Sequence, residues 1–228
     1  MNTLVNVARY HLVDRLTFVA LPWGIMAFSF LVNLVIATVL PGPQGNYTGG
    51  LMTIYIFLLI CGTLSMTRSL PFGLMLGASR RSYYLGTALL IVVLGAVYGL
   101  GLTVLQAVER ATGGWGLALH FFRVPWIMDG PWYVTWLTSF VLLVLFFGYG
   151  MWYGLVYRRW SVPGLVTFIA AQVLVALAAV AAVSLTHHWA AVGQFFAMIT
   201  APALTSLLAV VAVALGLGGL TTIRRVTI

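Results

Sequence analysis

Few residue types here could do chemistry, and they are poorly placed for it. The acids are Asp14, Glu109 and Asp129. An ion-coupled carrier keeps a carboxylate inside its apolar spans, where it binds and releases the ion. All three acids fall outside the long apolar runs, and only Glu109, at the edge of one, comes near. It reads as an interfacial partner of Arg110 or as a solvated charge. His187 and His188 are adjacent, and at about 3.6 residues per turn adjacent helix positions point apart, so they are ill placed to share a metal. No third ligand is near them, and His11 and His120 stand alone. Ser184 lies three residues before His187, a spacing too common to mark a nucleophile and its base. Such a serine reads as bonded to its own helix backbone. Gly77-Ala78-Ser79-Arg80 is not a Gly-x-Ser-x-Gly elbow, and no His-Glu-x-x-His or paired Glu-Glu occurs. The single Cys61 lies in an apolar run and offers neither an intrachain disulfide nor a Cys metal site. All eleven basic residues are Arg. Without lysine there is no Gly-x-x-x-x-Gly-Lys-Ser/Thr phosphate loop. No catalytic and no metal-ligating set emerges.

What remains to position a site is a set of apolar helices. Of the 228 residues, 62% are hydrophobic and 6% charged, with a mean hydropathy of +1.08. A soluble domain carries about 25% charged residues. A chain this apolar would leave too much hydrocarbon facing water, which excludes a soluble enzyme, a disordered protein and a free nucleic-acid binder. A bilayer core about 30 Å thick needs about 20 apolar helical residues, and the backbone must satisfy its own hydrogen bonds there. Six stretches qualify: about 18–40, stopped by Pro41-Gly42-Pro43; 51–66, short enough that it either continues past Arg68 or tilts; 84–105; 132–153; 164–185; and 195–220, with Pro202 inside. The expectation is an all-α polytopic membrane protein with one domain over 1–228. It comprises an interfacial segment over 1–16, a six-helix membrane domain over 18–220 and a tail over 221–228.

The arginines set an orientation. Arg9 and Arg15 precede the first stretch. Arg68, Arg80 and Arg81 lie between the second and third, Arg158 and Arg159 between the fourth and fifth, and Arg224 and Arg225 after the sixth. The other side has only Arg110 and Arg123, beside Glu109 and Asp129. The positive-inside rule then makes both termini cytoplasmic. The net charge of +8 is thus a topology signal and not a nucleic-acid surface. No cleavable signal peptide is evident, so the first stretch reads as an uncleaved helix. Over 2–16, Leu4, Val5, Ala8, Leu12 and Leu16 share one helical face, opposite Asn6, Tyr10 and Asp14. This fits a helix lying along the inner membrane surface, or else a short polar lead-in.

The loop between the second and third stretches is the most informative. Pro71 suits a first helical turn, and Phe72, Leu74, Met75 and Leu76 give an apolar turn and a half. Gly77 suits a helix end, and Ser79 can cap the next helix, with Arg80 and Arg81 at the membrane edge. Exposed Phe, Leu and Met need a partner to cover them.

The run Leu70-Pro71-Phe72-Gly73-Leu74-Met75-Leu76-Gly77-Ala78-Ser79-Arg80-Arg81-Ser82-Tyr83-Tyr84-Leu85-Gly86-Thr87-Ala88-Leu89 resembles bacterial ABC transporter permease subunits of the type-2 exporter class. In that family a Pro-Phe-x-x-x-x-Gly-x-[Thr/Ser]-Arg-Arg-x-aromatic pattern follows the second span. The resemblance is sharp over about twenty residues and extends to the whole chain only in topology. It implies a coupling helix seated in a separate nucleotide-binding subunit. Pro71, Phe72, Leu74, Met75, Leu76 and Gly77 would form that contact, with Arg80 and Arg81 at its edge. The alternative is an ordinary cytoplasmic turn. The resemblance also implies a bacterial inner-membrane location, ATP and magnesium held by the ATPase partner, and a second permease subunit, identical or related. Cargo would be hydrophobic or amphipathic. The rival readings are a secondary carrier or channel without an ATPase, and a membrane anchor that recruits a soluble partner.

The link of about 106–131, with Trp115, Phe121, Phe122, Trp126 and Trp132, reads as an interfacial aromatic belt, or as a small outer cap or partial re-entrant helix that shuts the exit of a path. Some members of the class place an outer gate between spans five and six, whereas that link here, about 186–194, is short. Gly95-x-x-x-Gly99 and Gly150-x-x-x-Gly154 permit close helix contact but are weak as dimer signals. Pro22 and Pro202 are candidate kinks.

Overall fold

A computed structural model describes residues 14, 16–40, 46–125, 127 and 130–223. Most of the expected interfacial segment, with Arg9, His11 and Arg15, lies outside the described residues, as do 41–45, Trp126, Asp129, Arg224 and Arg225.

Five helices have the length and composition to cross a bilayer: α1 (Leu16–Val39), α2 (Met52–Met75), α3 (Arg80–Ala111), α4 (Trp132–Leu185) and α6 (Ala201–Ile223). A short apolar helix, α5 (Trp189–Met198), lies between the last two. Two two-residue strands, Asn46–Tyr47 and Leu119–His120, pair in parallel and tie the α1–α2 link to the α3–α4 link. Asp14 starts α1 by accepting the Thr17 amide at 3.2 Å, as N-cap aspartates do. The first turn, Leu16–Ala20, is π-wound, and Pro22 follows it.

The second apolar stretch does not stop at Met66. It winds on through a π turn at Ser65–Ser69 into Leu70–Met75. The loop helix expected from sequence is therefore the end of α2, a rod that starts at Met52.

The stretches expected as fourth and fifth are two limbs of α4, which spans 54 residues. The chain folds back at Ser161, whose backbone stands at φ 54°, ψ −154°, with Pro163 entering the second limb. Contacts across the bend fix the antiparallel arrangement. Both Tyr149 and Tyr153 donate their hydroxyls to Gln172 Oε1, and the Tyr153 ring meets Phe168 edge-on at 5.4 Å.

The first limb of α4 is the centre of the packing. It runs beside α2, α3 and α6. Against α2 the helices nearly touch: a Cβ on Gly150 would run into the Leu59 carbonyl, and one on Gly62 into the Phe147 carbonyl. Thr63 Oγ1 donates across this crossing to the Gly150 carbonyl at 3.1 Å. Against α3, Gly99 faces the Phe140 amide and the Trp136 carbonyl, and Trp136 Nε1 donates to the Ala96 carbonyl at 3.1 Å. Both Gly-x-x-x-Gly pairs thus serve contacts within the chain. Against α6, the Thr138 and Thr205 hydroxyls bond at 2.7 Å, and Trp152 Nε1 reaches the Leu215 carbonyl at 2.9 Å. Ile54, Leu58, Cys61, Leu143, Phe147 and Leu155 fill the core between these helices. The second limb and α5 present apolar side chains outward, Val175 and Leu185 among them.

The sixth stretch differs from its expectation. Ile199 is extended at φ −71°, ψ 116°, which separates α5 from α6. Pro202 lies in the first turn of α6 and does not kink a span, a place where its missing N–H costs nothing.

Candidate functional site

The tip of α2 is built by local rules. Its end closes in a Schellman turn: the Gly77 amide reaches the Leu74 carbonyl at 3.0 Å, and the Ala78 amide reaches the Gly73 carbonyl at 3.2 Å. Gly77 takes the left-handed conformation this requires, φ 86°. Ser79 then caps α3, accepting the Ser82 amide at 3.1 Å. Two caps in five residues make a tight reversal with no slack.

This reversal exposes apolar groups. Met75 is 83% exposed, Leu76 67% and Phe72 50%. Pro71 and Leu74 are half-buried, Gly77 and Arg81 are exposed, and Arg80 is half-buried. Beneath the tip the stem is fixed. Tyr83 is fully buried and donates to the Ser65 carbonyl at 2.8 Å. That carbonyl also accepts the Leu70 amide at the end of the π turn. The Tyr83 ring lies so close over Gly73 that a Cβ there would stand 2.6 Å from it.

The same end is the basic one. A Cβ on Gly154 would meet Met66, so Arg158 and Arg159, one turn further along α4, lie towards the same end as Arg68. Arg159 lies over the Trp160 ring at 4.5 Å. Three exposed apolar side chains at an arginine-rich end can seat in an apolar groove with an acidic rim.

The opposite end is organised by Glu109, contrary to its reading as a solvated charge. It is 1% exposed. Its Oε2 accepts Trp115 Nε1 at 3.1 Å and the Phe121 and Phe122 amides at 3.0 and 2.9 Å, and its Oε1 accepts the Arg123 amide at 3.0 Å. One carboxylate thereby folds the link after α3. The chain reverses there through left-handed backbone at Gly113, Gly114, Trp115 and Gly116. Trp115, Phe121 and Phe122 pack round Phe30 of α1 at 4.9–5.6 Å between ring centroids. The described part of the link is thus folded compactly on α1, while Trp132 and Tyr133 beyond it are exposed.

His187 has a backbone role: left-handed at φ 55°, it ends the second limb of α4. Its amide reaches the Ser184 carbonyl and the His188 amide the Val183 carbonyl. Ser184 Oγ accepts Trp189 Nε1 at 3.2 Å, a partner the sequence reading did not assign. Among the described residues, no three His, Cys, Asp or Glu side chains group to hold a metal ion.

No protein-family model, curated protein or solved structure matches the chain. The functional reading therefore rests on the residues and their geometry.

Sequence reasoning missed Glu109 as a structural centre. Its donors are three backbone amides and an indole, and backbone amides leave no mark in a sequence. The one available clue was Gly113-Gly114, beginning four residues after it, which announces a reversal that something must hold.

Proposed function

We propose that the chain is the membrane-spanning permease subunit of an ATP-driven exporter of the ABC type. In this reading α1, α2, α3, the two limbs of α4 and α6 make six crossings. Both termini lie in the cytoplasm of a bacterial cell, at its inner membrane. The tip of α2 docks on a separate ATPase subunit that holds ATP and magnesium. A second permease subunit, identical or related, completes the path, and the cargo is hydrophobic or amphipathic.

The observation that carries the reading is the tip itself. Phe72, Met75 and Leu76 stand exposed at the Arg-rich end, on a stem held by Tyr83 and closed by two caps. An apolar knob left in water is unfavourable by about 25 cal/mol per Å² of its area, which a partner groove recovers. A rigid stem suits a part that must transmit a push, because a slack one would absorb it. The arginine bias, five of the described arginines against two, supports the cytoplasmic placement. Glu109 argues against an ion-coupled carrier, since its oxygens already accept four hydrogen bonds.

The test is a gentle-detergent pull-down of the tagged protein from its native host, followed by an ATPase assay. A soluble ATPase recovered in stoichiometric amount, with ATP hydrolysis by the complex, supports the reading. A soluble partner without ATPase activity makes the chain an anchor. An intact protein with no partner makes the exposed tip a turn and leaves a carrier or channel.

A further inference from the structure

Where α2 begins, an open pocket of about 310 Å³ lies between the α1–α2 link, the α3–α4 link and the first limb of α4. Its walls are Leu51, Met52, Val124, Ile127, Leu142 and Phe146. None of its described lining residues carries a charge. Two of them, Thr48 and Tyr55, have hydroxyls that are shielded from solvent and find no hydrogen-bond partner in the chain. Tyr55 is 2% exposed. Ser139 of α4 stands near its hydroxyl, without the geometry of a hydrogen bond.

These two hydroxyls depart from the rule of this molecule. The other buried tyrosines, Tyr83, Tyr84 and Tyr98, each donate to a backbone carbonyl. Thr53, Thr63 and Thr67 of α2 bond back to carbonyls three or four residues earlier. Thr48 precedes α2 and has no helical turn behind it to accept its proton. Its backbone is nevertheless fixed, since its amide donates to the His120 carbonyl at 3.2 Å.

We propose that this pocket binds a small amphiphile, an apolar body that carries one uncharged hydroxyl or carbonyl. The volume lies at the lower end of the range of small-molecule sites, about 300–1,000 Å³. Apolar walls favour the body by the area they take from water. A dry, unpaired hydroxyl is unfavourable, and an oxygen on the guest supplies the missing bond. A charged group would find no counter-charge on the described lining and would lose its hydration. Two sources share the chemistry: a free alcohol, and an acyl chain esterified to glycerol. The site is built within one chain and does not depend on the docking of an ATPase subunit.

The test is photolabelling of the full chain, in phosphatidylcholine nanodiscs, with a diazirine-bearing octanol, mapped by peptide mass spectrometry. Saturable labelling within residues 48–55 or 124–146 is expected. Octanol and the glycerol monoester of octanoic acid are the competitors, and octane at equal concentration in the bilayer is the control. Octane should displace the label about tenfold less well, for want of an oxygen. Displacement by octanol alone assigns a free alcohol, by the monoester alone a glycerol-borne chain, and by both the shared chemistry. Thr48→Val with Tyr55→Phe keeps the shape of the wall and removes both hydroxyls. The pair should weaken displacement by octanol about tenfold. Without octanol its melting temperature should stay level or rise, because no bond within the chain is lost. Leu142→Phe, which narrows the pocket, should independently reduce the labelling. Octane competing as well as octanol, unsaturable labelling spread over the outward faces, or a lowered melting temperature of the Val/Phe pair overturns the proposal.

Discussion

Tyr98 donates its hydroxyl to the backbone carbonyl of Phe18, four residues before Pro22. Proline has no N–H, so the carbonyl four residues upstream loses its helical partner. In an apolar surrounding that acceptor must find another donor, and α3 supplies it. Tyr98→Phe removes this bond and should therefore cost about 0.5–1.5 kcal/mol, the net worth of one hydrogen bond. Pro22→Ala restores an N–H and should recover part of that loss in the double variant. Thermal unfolding of the four proteins in detergent checks this; strictly additive single effects would show that the two residues do not share the carbonyl.

The exposed tip gives the functional prediction. Phe72→Asp, and Arg80→Glu with Arg81→Glu, should insert normally yet lose the ATPase subunit from the detergent complex. Gly73→Ala should act from beneath, because its methyl group displaces Tyr83 and with it the stem. ATPase recovery beside the unchanged amount of permease is the readout. Full recovery and full transport in all three variants would remove the docking role of the tip.

Glu109→Ala leaves three backbone amides and an indole without their acceptor. At about 1–3 kcal/mol for each donor that stays dry, the cap should open, with a loss of at least about 3 kcal/mol. Glu109→Gln keeps one acceptor oxygen and should lose less. Limited proteolysis between residues 112 and 125 reports the opening. An Ala variant that stays resistant would mean that the aromatic packing on Phe30 suffices.

Ser161 holds a backbone conformation that costs a side-chain-bearing residue about 1–3 kcal/mol and glycine little. Ser161→Gly should raise the melting temperature, and Ser161→Val should lower it. Equal melting temperatures for all three would place the bend elsewhere.

Gly150→Ala drives a methyl group into the Leu59 carbonyl. Overpacking of this kind costs about 1–3 kcal/mol, and Gly150→Leu should prevent the α2–α4 crossing altogether. A cysteine pair placed across the crossing, tested for crosslinking, separates a widened contact from a lost one.

The apolar stretches were legible because composition alone marks them, and the caps at Gly77 and Ser79 because those residue types suit one backbone conformation. The fold-back was less so. The pair Val162-Pro163 suggests a boundary, but only the contacts of Gln172 with Tyr149 and Tyr153 show that the limbs return on each other. The split of α5 from α6 was readable in principle, since Pro202 fits a first turn better than a helix interior. Reading it as a kink ignored the extended bias it sets on the residues before it. The grouping of Arg110, His120 and Arg123 around one pocket was out of reach, for they converge only through the reversal that the buried Glu109 holds.

The close crossing of α2 and α4 also bears on how the protein is made. α2 is the least apolar of the five long helices, and its Gly62 and Thr63 gain their contacts across the crossing only when Phe147 and Gly150 are in place. Gly150 leaves the ribosome long after α2 has reached the membrane. Until then α2 lacks the helix that covers Gly62, and its hydroxyls bond only to its own backbone. The chain is thus exposed to quality control during synthesis at one identifiable stage, between the emergence of α2 and that of α4.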